Sequence, residues 1–453
     1  MGAPTVAERM NLRGSLRLAL AYLIFAHLAI AVACVLFAIN AGRWPVVYHP
    51  QVVAVVHLIT LGWITGCILG MFYVIGPLAL RVPMPASRWD YVACGGFMIG
   101  VAAIPVAAWT GHYAEIAGAG MLAIAAIARV GYRLVLGLSA SDVAHGVKLH
   151  VRLAFLNILI AGVVGMVMAI DRQWHIWPVP PMAQTWAHAH LAVIGWGVML
   201  VMGLSYRLIP MMIPAAMPTR SSLAHSAWWL EASVLLIAFA ELSGATWLLT
   251  LAAIAVAGGL RAFIREVRAI ARRRLPAPPG RPAVDPTRRL GHACTSWLMF
   301  TVVLGFVLTV LPTSPLTIAL AWVYGVAALI GYLSQIVIGM GGRLFPMLAW
   351  YIGMAERGRP PACSIHELSM PSMAWAITYC WLFGVPALAV GLALRVPVVI
   401  AIACISLLIG VAMNATHLWL MRRRAIAFAV PAASASRSVH VQPRSIYGDA
   451  THN

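Results

Sequence analysis

The chain has 453 residues, 62% of them hydrophobic and only 9% charged, which excludes an ordinary soluble domain and points to membrane spans. Its net charge of +19 would suit nucleic acid in a soluble protein. In a polytopic chain the same basic residues collect in loops on one side of the bilayer, so no nucleic-acid partner is expected and lipid is the immediate surrounding.

In chain order, twelve stretches hold the 20 or so apolar residues that a span requires. They lie at roughly 15–40, 50–80, 89–111, 114–138, 147–170, 184–213, 222–243, 245–270, 292–312, 316–350, 372–392 and 395–421. No small-residue cleavage site follows the first of them, so it reads as a retained span. Arg9, Arg13 and Arg17 stand at the head of span one, Arg81 and Arg88 follow span two, and Lys148 and Arg152 open span five. Arg220, Arg357, Arg359 and the run Arg422-Arg423-Arg424 fall on the same side, as do the nine arginines of 261–289. The opposite side carries Arg43, Arg172 and Arg395, so both termini are expected to be cytoplasmic. Trp44, Tyr48, Trp174 and Trp177 suit an interfacial belt on that opposite side. The segment PAPPGRP after span eight reads as a linker, and 426–453 as a disordered tail. Seven cysteines without a CxxC pair give no disulfide framework, and those within apolar stretches read as buried small hydrophobes.

Spans two, six and ten share one pattern. Counting from His57, His190 or Val326, a Gly-aromatic pair comes at the fifth and sixth positions (Gly62-Trp63, Gly195-Trp196, Gly331-Tyr332). A second Gly follows at the thirteenth (Gly70, Gly203, Gly339) and a Pro at the twentieth (Pro77, Pro210, Pro346). RLALAYLIF from Arg17 also resembles RLAFLNILI from Arg152. The expected fold is an all-α polytopic membrane protein of twelve transmembrane helices in three four-helix repeats, near 10–140, 145–275 and 286–425, forming one pseudo-threefold bundle. Twenty residues rise roughly 30 Å, one hydrocarbon thickness, so His57, His188 and His190 lie near the outer ends of their spans.

Imidazole is a good ligand for iron, copper or zinc. His188 and His190 are two residues apart on a helix and point to nearly opposite sides, so they cannot share one metal. His57 and His190 hold equivalent repeat positions and are expected to face one another across a flat ring. Gly62, Gly70, Gly195 and Gly203 allow close approach of a neighbouring backbone or of such a ring. The competing reading is that these histidines only hydrogen-bond between helices. His27, His112, His150, Asn157 and His417 are lesser candidates, with packing or a solvated loop the plainer account of each. Arg129 and Arg133 are expected to snorkel. Few carboxylates are intramembrane, with Glu231 and Glu241 in span seven the best candidates, which argues against a proton-pumping route.

HAHLAVIGWGVMLVMGLSYRLIP, from His188 to Pro210, resembles the tenth span of heme-copper oxidase subunit I, particularly its C-family, cytochrome-c-oxidising branch. The resemblance implies a bacterial-type inner-membrane protein holding heme, most simply b-type. It assigns His57 and His190 to a low-spin heme and His188 to a second site, and it implies a c-type cytochrome or another redox subunit as partner. The chain departs from that family where Tyr324 and Val326 replace the ligand pair on span ten, and where span seven lacks a His-His pair. A complete oxidase copper site is therefore not expected, although copper itself stays open. In these respects the chain is closer to the twelve-span NnrS-type relatives of the nitric-oxide response. The implied function is electron transfer, or the binding and reduction of oxygen or nitric oxide. The alternative is a transporter or a non-catalytic membrane subunit with packing histidines.

Overall fold

The computed structural model describes residues 6–44, 49–276 and 285–428. Tyr48, nearly all of the PAPPGRP segment and positions 429–453 of the expected tail lie outside them. The described chain is helical throughout, with twelve helices long and apolar enough to cross a membrane. They are α1 (Val6–Ile39), α2 (Pro50–Ala79), α3 (Arg88–Thr110), α4 (Tyr113–Ala140), α5 (His145–Trp174), α6 (Pro181–Met212), α7 (Leu223–Ser243), α8 (Leu248–Arg272), α9 (Pro286–Val310), α10 (Pro315–Arg357), α11 (Pro371–Leu394) and α12 (Pro397–Ala427). Each expected span corresponds to one of these helices.

Local chemistry sets many of the ends. Pro occupies the first turn of α2, α6, α9, α10, α11 and α12, where its missing N–H has no intrahelical partner to lose. The Asp285 carboxylate accepts from Thr287 N (2.9 Å) at the start of α9, and Ser314 caps α10. Gly111, Gly244 and Gly358 close α3, α7 and α10 with φ of 79°, 75° and 73°, a left-handed conformation that costs glycine little.

α2 and α6 are the most enclosed helices, with 67% and 61% of their apolar windows buried. The mid-helix segments of α2 and α6 both meet that of α10, and Trp196 Nε1 of α6 donates to Thr65 Oγ1 of α2 across 3.1 Å. Each of these three helices carries one π-helical segment: Leu58–Thr65, Leu191–Val198 and Ala327–Ser334. These begin immediately after His57, His190 and Val326. A π-turn widens the helix and breaks the four-residue hydrogen-bond ladder, and such turns concentrate at functional sites.

The glycines of the shared pattern receive a neighbouring helix. Gly62 and Gly70 pack on Ala29 and Tyr22 of α1, Gly195 and Gly203 on Asn157 and His150 of α5, and Gly331 and Gly339 on Trp297 and Leu290 of α9. A Cβ at Gly62 would lie 2.5 Å from that of Ala29, and one at Gly203 2.4 Å from that of His150. These contacts are helix–helix, so the close approach expected at the four glycines is filled by protein rather than by a flat ring.

Two expectations change with tertiary packing. Arg129 and Arg133 do not snorkel: they meet the fully buried Asp90 carboxylate of α3 at 3.3 and 2.6 Å. Trp44 is buried against Phe37, with ring centres 4.5 Å apart, whereas Trp174 is exposed as a belt residue would be. All seven cysteines are free.

Candidate functional site

His57 ends the α-helical part of α2, and its Nδ1–H donates to the Val53 carbonyl one turn back at 2.8 Å. His188 lies on α6, and its Nδ1–H donates to the Ala161 carbonyl of α5 at 2.9 Å. A neutral imidazole with Nδ1 protonated keeps its lone pair on Nε2. Neither Nε2 has a partner among the described residues. The two ring centres lie 6.1 Å apart, with the ring planes inclined by 24°.

His190 is used differently. Its Nδ1–H donates to the Trp186 carbonyl at 2.8 Å, and its Nε2 accepts from the Tyr324 hydroxyl of α10 at 3.1 Å. The structure therefore brings His57 together with His188, not with His190 as the repeat register suggested. The reason is the rotation of α6 about its axis. Two residues on a helix turn the side chain by about 200°, so His188 faces α5 and α2 while His190 faces α10. Gly165 of α5 makes room for the His188 ring, since a Cβ there would sit 2.9 Å from Cε1.

The buried histidines His27, His150 and His417 are satisfied by protein. His27 Nδ1–H donates to the Leu23 carbonyl (2.7 Å), and its Nε2 accepts from Asn414 Nδ2 (3.0 Å), tying α1 to α12. His150 Nδ1–H donates to the Gly146 carbonyl (2.7 Å), and its Nε2 accepts from Ser226 (3.0 Å). His417 Nε2 accepts from Met370 N at 3.0 Å, and His112 bonds Thr110 in an exposed turn. Asn157 Nδ2 donates to the Glu231 carboxylate at 2.7 Å, and Gln335 Nε2 to the Trp381 carbonyl at 3.3 Å.

His57 and His188 line a cavity of about 350 Å³ whose walls are otherwise almost wholly apolar. Arg172, near the end of α5, is its one charged lining residue, with no ion-pair or hydrogen-bond partner among the described residues. Sequence reasoning missed the parts played by Arg172, Ala161, Gly165 and Tyr324. The small residues Ala161, Gly162 and Gly165 are a legible sign of close helix approach, but the partner they receive is not.

This geometry has a definite chemical capacity. No three of His, Cys, Asp and Glu converge among the described residues, so no cage for a bare ion is formed. Two imidazoles suit a metal whose other positions are filled by its own macrocycle, as heme iron is. Two metal–imidazole bonds of about 2.0 Å put ring centres on the order of 6 Å apart, in line with the spacing here. An anchored Nδ1–H is also the usual way that a ligating histidine is oriented. Compared with known proteins, the chain matches no family model and no curated protein.

Proposed function

We propose that this chain is a heme-binding integral membrane protein that uses His57 and His188 as the axial pair of one heme, for electron transfer within the bilayer. One observation carries the reading. Among the described histidines of the spans that are anchored through Nδ1, these two alone present an uncommitted Nε2 to a shared apolar cavity, whereas His27, His150 and His190 have theirs bonded to protein. That difference argues against a transporter in which all the histidines only pack. The cation of Arg172 suits the carboxylates of a heme edge. The bound heme would supply one-electron chemistry. The protein's part is to hold two imidazoles in the neutral, Nε2-bare tautomer and to keep water from the ring. Two protein ligands on one iron leave no open position for a gas, which favours electron transfer over binding or reduction of oxygen or nitric oxide at this centre.

A three-unit architecture of the oxidase subunit I kind fits the same observations. The π-segments begin at the corresponding position in α2, α6 and α10, and the glycine contacts match Tyr22 with His150 and Leu290. In that register Arg17 and Arg152 are two helical turns apart, so their resemblance in sequence does not mark equivalent places.

The deciding experiment is a pyridine hemochrome assay with metal analysis on purified protein. Low-spin b-type bands at about one heme per chain are expected. Colourless, fully folded protein would refute the reading, and copper without heme would make the histidine pair a copper site. On orientation, the basic loops support a cytoplasmic side for both termini. Reporter fusions after Arg274 and Arg424 should both read cytoplasmic, and an external signal at either would overturn the assignment.

A further inference from the structure

Behind the His190–Tyr324 pair lies a second cavity, of about 270 Å³, enclosed by α6, α7, α8, α9 and α10. Trp186, His190 and Tyr324 line both cavities, so this hydrogen-bonded pair is part of the wall between them. Its other walls are mostly apolar or aromatic, and the Thr301 and Thr309 hydroxyls there donate to backbone carbonyls. Leu249, Ala253 and Val256 of α8 and Phe306 of α9 lead it to the lipid-facing surface, where Phe306 is 43% exposed.

Two polar groups in this cavity are unexplained by packing. Glu241 is half-buried near the end of α7 and has no hydrogen-bond or ion-pair partner among the described residues. The Tyr332 hydroxyl has none either, although Tyr332 is buried. A carboxylate on an apolar cavity wall is costly unless something donates to it. Glu231 on the same helix has such a donor in Asn157; Glu241 has none among the described residues.

We propose that this cavity binds the head of a hydroxyaromatic lipid, a hydroquinone carrying an alkyl tail. A flat ring fits between the aromatic walls, a ring hydroxyl donates to Glu241, and the tail leaves between α8 and α9. The volume falls just short of about 300 Å³, the small end of ordinary ligand pockets, which suits a single ring. The binding claim stands on this cavity alone. The idea that such a lipid would serve as an electron source rests on the function proposed above.

The test uses purified full-length chain in detergent, without oxygen, and measures equilibrium binding of three probes: decylubiquinol, decylubiquinone and dodecylamine. Decylubiquinol should bind saturably at one per chain, at least about tenfold more tightly than the quinone, because only the reduced ring donates to Glu241. Glu241→Leu should erase that preference, and Ala253→Trp, which fills the cavity, should abolish binding; both variants are checked for wild-type elution. His57→Ala should bind as wild type does, so loss of the metal centre and loss of this site are distinguishable. Three outcomes would overturn the proposal: no saturable binding, equal binding in Glu241→Leu and Ala253→Trp, or tighter binding of the amine than of the hydroquinone.

Discussion

His57→Ala and His188→Ala should each remove the low-spin spectrum, by turning the heme high-spin or by losing it, while His190→Ala should keep the low-spin bands. The asymmetry follows from which nitrogen is free. His57 and His188 hold their Nδ1–H groups on backbone carbonyls and leave Nε2 bare, whereas His190 Nε2 already accepts from Tyr324. On the proposed function, truncating His57 or His188 would take away one of the two ligands, and no other imidazole lining the cavity among the described residues has an uncommitted Nε2 to replace it. Truncating His190 removes a hydrogen bond to Tyr324, a stability cost of about 1 kcal/mol. Visible and electron paramagnetic resonance spectra of the three variants, each purified at wild-type yield, provide the check. Loss of the low-spin signal in His190→Ala with retention in His188→Ala would restore the His57–His190 pairing suggested by the repeat register.

The second large effect is expected at Asp90, far from the histidines in sequence. Its carboxylate is fully buried; it accepts from Ser87 N at 2.8 Å and from Arg133 Nη1 at 2.6 Å, and lies 3.3 Å from Arg129 Nε. Arg133 also donates to the Pro85 carbonyl at 2.8 Å, so the cluster fastens α3, α4 and the connection before α3 together. Removing one member of a buried pair leaves the other charges uncompensated and costs roughly 3–5 kcal/mol. Asp90→Ala should fall at the low end, about 3 kcal/mol, because the Arg129 and Arg133 side chains are 31% and 16% exposed. Asp142→Ala is the matched control. Its partner Arg81 is 59% exposed and Asp142 itself 67%, and such surface pairs contribute at most about 1 kcal/mol. Unfolding midpoints in detergent should separate the two variants clearly; equal midpoints would mean that the buried cluster does not hold the fold.

The twelve spans were legible in the sequence because hydropathy over about 20 residues depends only on local composition. The pattern common to α2, α6 and α10 was legible too, since its glycines, aromatics and prolines recur at fixed steps. What the pattern does at its centre was not. That a π-turn follows His57, His190 and Val326 depends on which carbonyl each amide finds, and the residue letters do not encode that choice. Arg129 and Arg133 look like snorkelling residues on α4 taken alone, and become an ion cluster only when α3 folds back and brings Asp90 beside them. The histidines show the same division. Sequence alone singled out His57, His188 and His190 and separated the two members of the H-x-H by helix geometry. Which of the two faces His57 was decided by the rotation of α6, which Ala161 and Gly165 set by accepting the His188 ring and Tyr324 by capping His190. Helical periodicity fixes the angle between two side chains on one helix, but only packing against other helices fixes the direction in which either of them points.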